Sequence, residues 1–387
     1  MKILIGGDIV PTRSNFVLFS KGELDSLVGE ELRILLSGAD AALFNLEVPL
    51  TDVWSPIDKN GPNLIAPTST IFGLAKINHS FFGLANNHIM DQGRQGLEST
   101  ISLLDKYGIS HSGSGLNLKE SLQTTILNCG GVKIGVYCCA EKEFSVFQEN
   151  VGGATCYDPL ISLESVSSLK KRCDYVVVLY HGGKELYQFP APYLRERCHQ
   201  LVLNGADIVV TQHSHCVGAR EIFQNKTIVY GQGNFLFDYG NNDLWKTGLL
   251  IEVNFQNGIS QINYVPIVKF HNGVRLATGT TGRAILGGFE KRSSQIINED
   301  FICKNYKEFA IQQLPNYLLQ FYRGGNGFWI RVGKKLLGEK WLIRFIKRKY
   351  KLSNLLAFIN YLTCEAHSDL LLTGLKEECK KESDDDR

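Results

Sequence analysis

The sequence predicts an α/β sandwich of mixed sheets, and three observations point to it. Strand-like apolar runs alternate with helix-period segments through the first part of the chain, which implies parallel pairing. Hairpin-like pairs follow, which adds antiparallel strands. Five of the apolar runs, spread over about two hundred residues, end in groups able to bind a metal: Asp8, Asn45-Leu46-Glu47, Asn86-Asn87-His88, His181, and His213-Ser214-His215. In open α/β sheets ligands sit outside the carboxyl ends of the strands. One sheet edge is therefore expected to gather carboxylate, carboxamide and imidazole.

The elements follow in order. After the run into Asp8, residues 23–37 carry Leu24, Leu27, Val28, Leu32, Leu35 and Leu36 at helical spacing. The second strand runs into Glu47. Residues 51–65 hold repeated Pro and Gly breaks and read as a loop. A short helix is expected over 68–77, capped by Thr68 or Ser69. Phe81 to Asn87 reads as the third strand, and 94–107 as a helix ended by Tyr107-Gly108. Runs 122–128 and 132–139 flank Cys129-Gly130-Gly131 as a hairpin. Residues 141–158 are irregular, and a helix over 160–171 leads to the strand before His181. A helix over 191–204 leads to the strand before His213. A strand at 227–230 and a hairpin of 248–255 with 259–269, turning at Asn257-Gly258, complete the set.

Near residue 290 the character becomes helical, with main segments Phe301–Tyr322 and Lys340–Leu362 separated by Gly324-Gly325-Asn326-Gly327. The expected division is 1–285 for the α/β domain and 290–387 for a helical, basic extension. Residues 331–351 hold nine Lys or Arg against the single acid Glu339. That stretch suits a membrane surface or polyanion, or equally a solvated face of a helical subdomain.

Composition narrows the classes. The chain has 387 residues, 44% of them hydrophobic, enough for a sizeable core. A net charge of +2 gives no argument for a nucleic-acid partner. No apolar run reaches the eighteen residues of a membrane helix, and no secretory signal is visible, so the expected location is cytoplasmic, with peripheral membrane contact open. The ten cysteines form no Cys-x-x-Cys pair and fit free thiols in a reducing compartment.

Each polar group has a plain reading when taken alone. His213 and His215 are satisfied loop histidines, Asp8 a turn carboxylate, Asp91 a helix cap. Together they suit divalent transition metals. In a turn, His213 and His215 can splay toward two neighbouring metals. Two close metals need a bridging anion, which one carboxylate supplies, and such a pair provides hydroxide at neutral pH. His88 is placed to act as a general acid.

The ordered set Gly7-Asp8, Asn45-Leu46-Glu47, Asn86-Asn87-His88 with Asp91 and Gly93, His181-Gly182-Gly183-Lys184-Glu185, His213-Ser214-His215, and Gly231-Gln232-Gly233-Asn234-Phe235-Leu236-Phe237-Asp238 resembles the successive motifs of the CapA family of poly-γ-glutamate capsule biosynthesis proteins. The domain of that family is similar to calcineurin-like metallophosphoesterases. The resemblance covers about residues 1–270. It implies a four-layer α/β/β/α sandwich and two divalent ions of the Mn, Zn or Fe class. Asp8 and His215 would bind one, Asn87, His181 and His213 the other, and Glu47 would bridge. His88 would serve the leaving group. Asn45, Asp91, Glu185 and Asn234 would contact substrate or support the ligands. One departure stands out: metallophosphoesterases usually carry Asp-x-His first, whereas Asp8 precedes Ile9 and Val10, and Glu47 stands where they have a bridging Asp. The first metal would then have one imidazole fewer.

The function implied is a metal-dependent hydrolase or transferase of capsule biosynthesis, using metal-bound hydroxide on an amide or phosphoester. The alternative is a non-catalytic assembly or export component. Its expected partners are a polyanionic polymer or precursor, or a membrane-bound capsule synthase.

Overall fold

A strand buried on both faces must be apolar throughout, and β1 (Lys2–Val10) and β2 (Ala41–Leu46) are largely so. The computed structural model describes residues 1–77, 80–238, 242–255, 259–323 and 348–385. Between β1 and β2 lie α1 (Phe16–Lys21), which the sequence pattern did not reveal, and α2 (Leu24–Ser37). A 3-10 turn over Thr68–Thr70 precedes α3 (Ile71–Ile77). The expected cap by Thr68 or Ser69 is replaced: Pro67 occupies the cap position, and its carbonyl accepts from the Thr70 backbone and hydroxyl. The third strand is shorter than expected, since β3 is only Phe81–Gly83. Leu84 to His88 leaves the ladder and forms the loop that carries Asn87 and His88.

α4 (Gly93–Lys106) leads to the short strands β4 (Ser110–Ser112) and β5 (Ser114–Gly115), then α5 (Leu118–Ser121). The hairpin β6 (Thr125–Cys129) and β7 (Val132–Ala140) is as expected. β8 (Gly153–Ala154), α6 (Pro159–Lys170) and β9 (Tyr175–His181) follow. Asp158 caps α6 by accepting from the Leu160 and Ile161 amides, with Pro159 in the first turn. Next come α7 (Pro192–Leu203), β10 (Ile208–Gln212), β11 (Val217–Phe223), β12 (Lys226–Gln232) and β13 (Asn234–Phe237). β14 (Thr247–Phe255), β15 (Ile259–Phe270) and β16 (Gly273–Leu276) end the strands, and the Asn257-Gly258 tip lies outside the described residues.

The first sheet runs β16-β15-β14-β1-β2-β3-β4, with β13 also paired to β1; the second runs β11-β12-β10-β9-β7-β6. Both are mixed. Alternation along the strands sets the layers. Leu4, Phe44 and Phe82 pack with Phe19, Leu27, Leu32, Leu74 and Leu97 of the helices. Ile3, Ile5, Leu43 and Phe81 face Val136, Val177, Val210 and Val229 of the second sheet. The outer face of that sheet is covered by α6 and α7. The result is the expected four-layer α/β/β/α sandwich.

α8 (Gly279–Gln295) packs on β11 and β15, and Arg292 donates to the carbonyls of Gly218 and Val217. Met1–Cys303 forms one compact unit and Lys304–Arg387 a second, the division falling inside α9 (Glu299–Arg323). In the second unit, α10 (Leu352–Thr363) places Phe358 against Phe321, and α11 (Glu365–Asp385) follows. Gly324–Gly327, and all of the basic stretch 331–351 before residue 348, lie outside the described residues. Among the described residues no helix is long and apolar enough to cross a membrane.

Candidate metal centre

Asp8 is aimed by a bulge. Ile5 pairs with Leu43 but Asp8 with Asn45, so β1 inserts one extra residue at Gly6-Gly7. Gly7 allows the close approach of β13, because a Cβ there would lie 2.0 Å from the Gly233 carbonyl oxygen. β13 then sets Asn234 beside Asp8. Gln212, at the end of β10, donates to the Gly6 carbonyl at 3.1 Å and ties the two sheets together at this point.

The structure brings Asp8, Glu47, Asn87, His181, His213 and His215 into one cluster, although the chain separates Asp8 from His215 by about two hundred residues. Asn45 Nδ2 donates to Asp8 Oδ1 at 2.7 Å and lies 3.2 Å from His181 Nδ1. His215 Nδ1 stands 3.4 Å from Asp8 Oδ2 and 2.8 Å from Asn234 Oδ1. Three atoms surround His181 Nε2: Asn87 Oδ1 at 3.0 Å, His213 Nδ1 at 3.1 Å and Glu47 Oε1 at 3.2 Å. One ring nitrogen cannot hydrogen-bond all three. Ligand atoms sharing a metal at about 2.0–2.2 Å sit roughly 3 Å apart.

Glu47 supplies the sharper test of fit. It is fully buried, and neither carboxylate oxygen has a hydrogen-bond partner. Oε1 lies 3.2 Å from His181 Nε2 and 3.9 Å from His215 Nε2, without the alignment of a hydrogen bond. Glu47 belongs to both groups of side chains close enough to share an ion, one with His213 and His215, the other with Asp8 and His181. A buried carboxylate left open on both oxygens costs free energy unless something positive completes it. The residues present fit a divalent cation.

His213 and His215 both take left-handed backbone, φ 82° and 50°. Such strain costs about 1–3 kcal/mol per residue. It splays the two rings, whose centroids stand 5.8 Å apart, so that His213 meets His181 and His215 meets Asp8. The electrostatics are strongly coupled. Burial drives the Asp8 carboxyl up, but His215, His181 and Asn45 outweigh it and hold the group below the usual range. Burial lowers His215, yet Glu47, Asp8 and Asn234 raise it to about 9. His181 is likewise raised, by Glu47 and Asp8 against burial. His213 is pushed well down by burial and by the neighbouring imidazoles. The two raised imidazoles thus answer the two carboxylates beside them.

Of the supporting residues, Asn45 and Asn234 touch the cluster directly. Asp91 does not cap α4: it accepts from His88 Nδ1 at 2.6 Å and from the Leu64 amide at 2.6 Å. Glu185 is exposed in the loop after β9 and is near enough to Glu143 to raise that carboxyl, although burial is the larger cause. Sequence reasoning missed Asn86, which donates to Asn45 Oδ1 and to the Leu46 carbonyl. It missed Trp245, whose ring lies 4.1 Å from that of His215. It also missed Lys59, buried against Asp91. Asn86 stood inside a motif already noted; the other two carried no local signal.

Sequence relatives are found among capsule biosynthesis proteins. The capsule biosynthesis protein CapA of Bacillus anthracis is 28% identical over 220 residues, covering 54% of this chain and 52% of that protein. The PGA biosynthesis protein CapA of Bacillus subtilis (strain 168) is 30% identical over 198 residues, covering 50% and 52%. The chain thus spans about half the length of the curated relatives it matches. A solved 5'-nucleotidase precursor from Thermus thermophilus aligns over 77% of this chain and 59% of its own, at 13% identity and a TM-score of 0.39. The model of the family described as bacterial capsule synthesis protein PGA_cap matches residues 2–239, and the chain belongs to that family.

Proposed function

We propose that this chain is a metal-dependent hydrolase or transferase acting in capsule or poly-γ-glutamate synthesis, on an amide or phosphoester of a polyanionic polymer or its precursor. The observation that carries the reading is Glu47: a fully buried carboxylate with both oxygens open, set among three imidazoles. Asp8 and His215 would hold one divalent ion, Asn87, His181 and His213 a second, with Glu47 between them. Such ions supply Lewis-acid activation of water and of the electrophile.

The chain's own groups would do the rest. Asn45 and Asn234 fix the faces of Asp8, His181 and His215. Asp91 holds His88 by Nδ1, which leaves Nε2 free to take up a proton and, from the doubly protonated ring, to deliver it to the leaving group. The names of the relatives, capsule biosynthesis and PGA biosynthesis protein, support the polymer assignment. A second reading, a non-catalytic assembly component working with a membrane-bound synthase, rests on the imidazole missing after Asp8.

The test measures bound metal, and then cleavage of phosphoester and γ-glutamyl amide substrates, for the wild type and His213→Ala. Loss of metal together with loss of cleavage supports the reading. Loss of metal with cleavage intact removes it.

A further inference from the structure

Residues 51–65 form an irregular segment with Val53 and Trp54 exposed, yet the side chain of Lys59 on it is buried, 1% accessible. A buried ammonium needs a partner, and this one has a fully buried carboxylate, Asp91 Oδ1. Its Nζ also lies 3.3 Å from His88 Nδ1 and 5.1 Å from the centre of the Phe144 ring. Asp91 is therefore shared. Oδ1 takes Lys59, Oδ2 takes His88 Nδ1 and the Leu64 amide, and the Asp91 carbonyl takes the Ile57 amide at 3.1 Å. Separate bonds anchor the segment without Lys59: the Ser55 amide to Gln92 Oε1, Gln92 Nε2 to the Leu64 carbonyl, and Asn63 Nδ2 to the Ile57 carbonyl.

We propose that Lys59 is a positioning residue for His88: its ammonium pins Asp91, and Asp91 then locks the Nδ1 edge of the imidazole so that Nε2 is the nitrogen left for the reacting group. This rests on reading His88 as the proton donor of the proposed function. Lys59 itself is too buried to touch a substrate. A carboxylate with one oxygen unoccupied can swing about its own bonds and carry the ring with it. With Lys59 on Oδ1 and Leu64 on Oδ2, that swing is closed off. Lys59 adds an ionic bond to a segment that other bonds already hold, and that bond falls on the Asp91–His88 pair.

The test is imidazole nitrogen NMR on the full chain loaded with zinc, which is diamagnetic, with His88→Gln used to assign the His88 signals. The wild type is expected to show one His88 tautomer, protonated at Nδ1. Lys59→Met is expected to average the His88 signals between tautomers while the Ser55 amide and the His181, His213 and His215 rings hold their positions. Lys59→Arg is expected to keep the single tautomer with a displaced Nδ1 resonance. A purely structural lysine would move the loop amides and leave the His88 ring unchanged, which overturns the proposal. If Lys59→Met does not fold, Lys59→Arg decides: a displaced Nδ1 signal supports the coupling, and an unmoved one overturns it. In the same proteins, kcat on whichever ester or amide the wild type cleaves is expected to fall about 10-fold or more in Lys59→Met at unchanged KM, and to recover in Lys59→Arg. A wild type that cleaves nothing overturns the proposed function, while the nitrogen spectra still decide the role of Lys59.

Discussion

Replacing Glu47 with glutamine keeps the shape of the side chain and removes its charge. In the metal-free chain both oxygens of Glu47 lack hydrogen bonds, and each unmet buried acceptor costs roughly 1–3 kcal/mol. The attraction of His181 at 3.2 Å offsets part of that. Glu47→Gln also removes the charge that does most to hold His215 and His181 protonated, so the chelated variant should lose stability, by up to about 3 kcal/mol at neutral pH. With metal a second loss is added. An ion at a hundred times its dissociation constant stabilises the wild type by about 2.7 kcal/mol. A hundredfold weaker site, a modest loss for a bridging ligand when supporting groups alone account for about 10–100-fold, leaves about 0.4 kcal/mol at the same concentration. At roughly 2 °C per kcal/mol for a domain of this size, the metal-induced shift in Tm falls from about 5 °C to under 1 °C. Differential scanning fluorimetry with chelator, then with manganese or zinc, reads both arms. Equal metal shifts in the two proteins would refute the bridging assignment.

Three further outcomes are expected. His213→Ala should lose bound metal, read by elemental analysis, and with it any phosphoester or amide cleavage. The chelated wild type should lose stability as pH rises from 6.5 to about 9, on the order of 3 kcal/mol, because His215 is held protonated in the fold above its unfolded value. The lowered Asp8 contributes in the opposite sense and is lost as the pH falls below its ordinary value of 3.8, so thermal melts of the chelated protein should peak between that value and 6.5. Gly7→Ala should destabilise by several kcal/mol, since its Cβ would collide with backbone rather than with a movable side chain; an unchanged melting temperature would contradict the close pairing of β1 with β13.

The cluster was legible because each of its residues ends a run whose apolar character betrays a buried strand. Asp8, Glu47, His181 and His213 all close such runs, and the layer arrangement needs only alternation to place them on one edge. Other features left no such trace. β4, β5 and β8 are two or three residues long, too short for any period to show. β3 stops at Gly83 because the chain must leave the ladder to present Asn87, and the apolar Leu84 and Ala85 hide that exit. Lys59 sits in a stretch whose prolines and glycines announce only a loop, and its partner Asp91 is far along the chain. Trp245 depends on β13 and β14 bringing it back over His215, which no local pattern encodes.

β1 leaves the ribosome before every other strand of this fold and is among the last to be completed. One of its sides is filled by β2 some forty residues later, but the other pairs Lys2 with Asn254 and Asp8 with Asn234. At about 5–20 residues per second of synthesis, that second side stays open for roughly ten to fifty seconds. The nascent domain thus carries an unpaired, mostly apolar edge while nearly all of its other strands are being made. Chaperone demand during production of this domain should concentrate on β1.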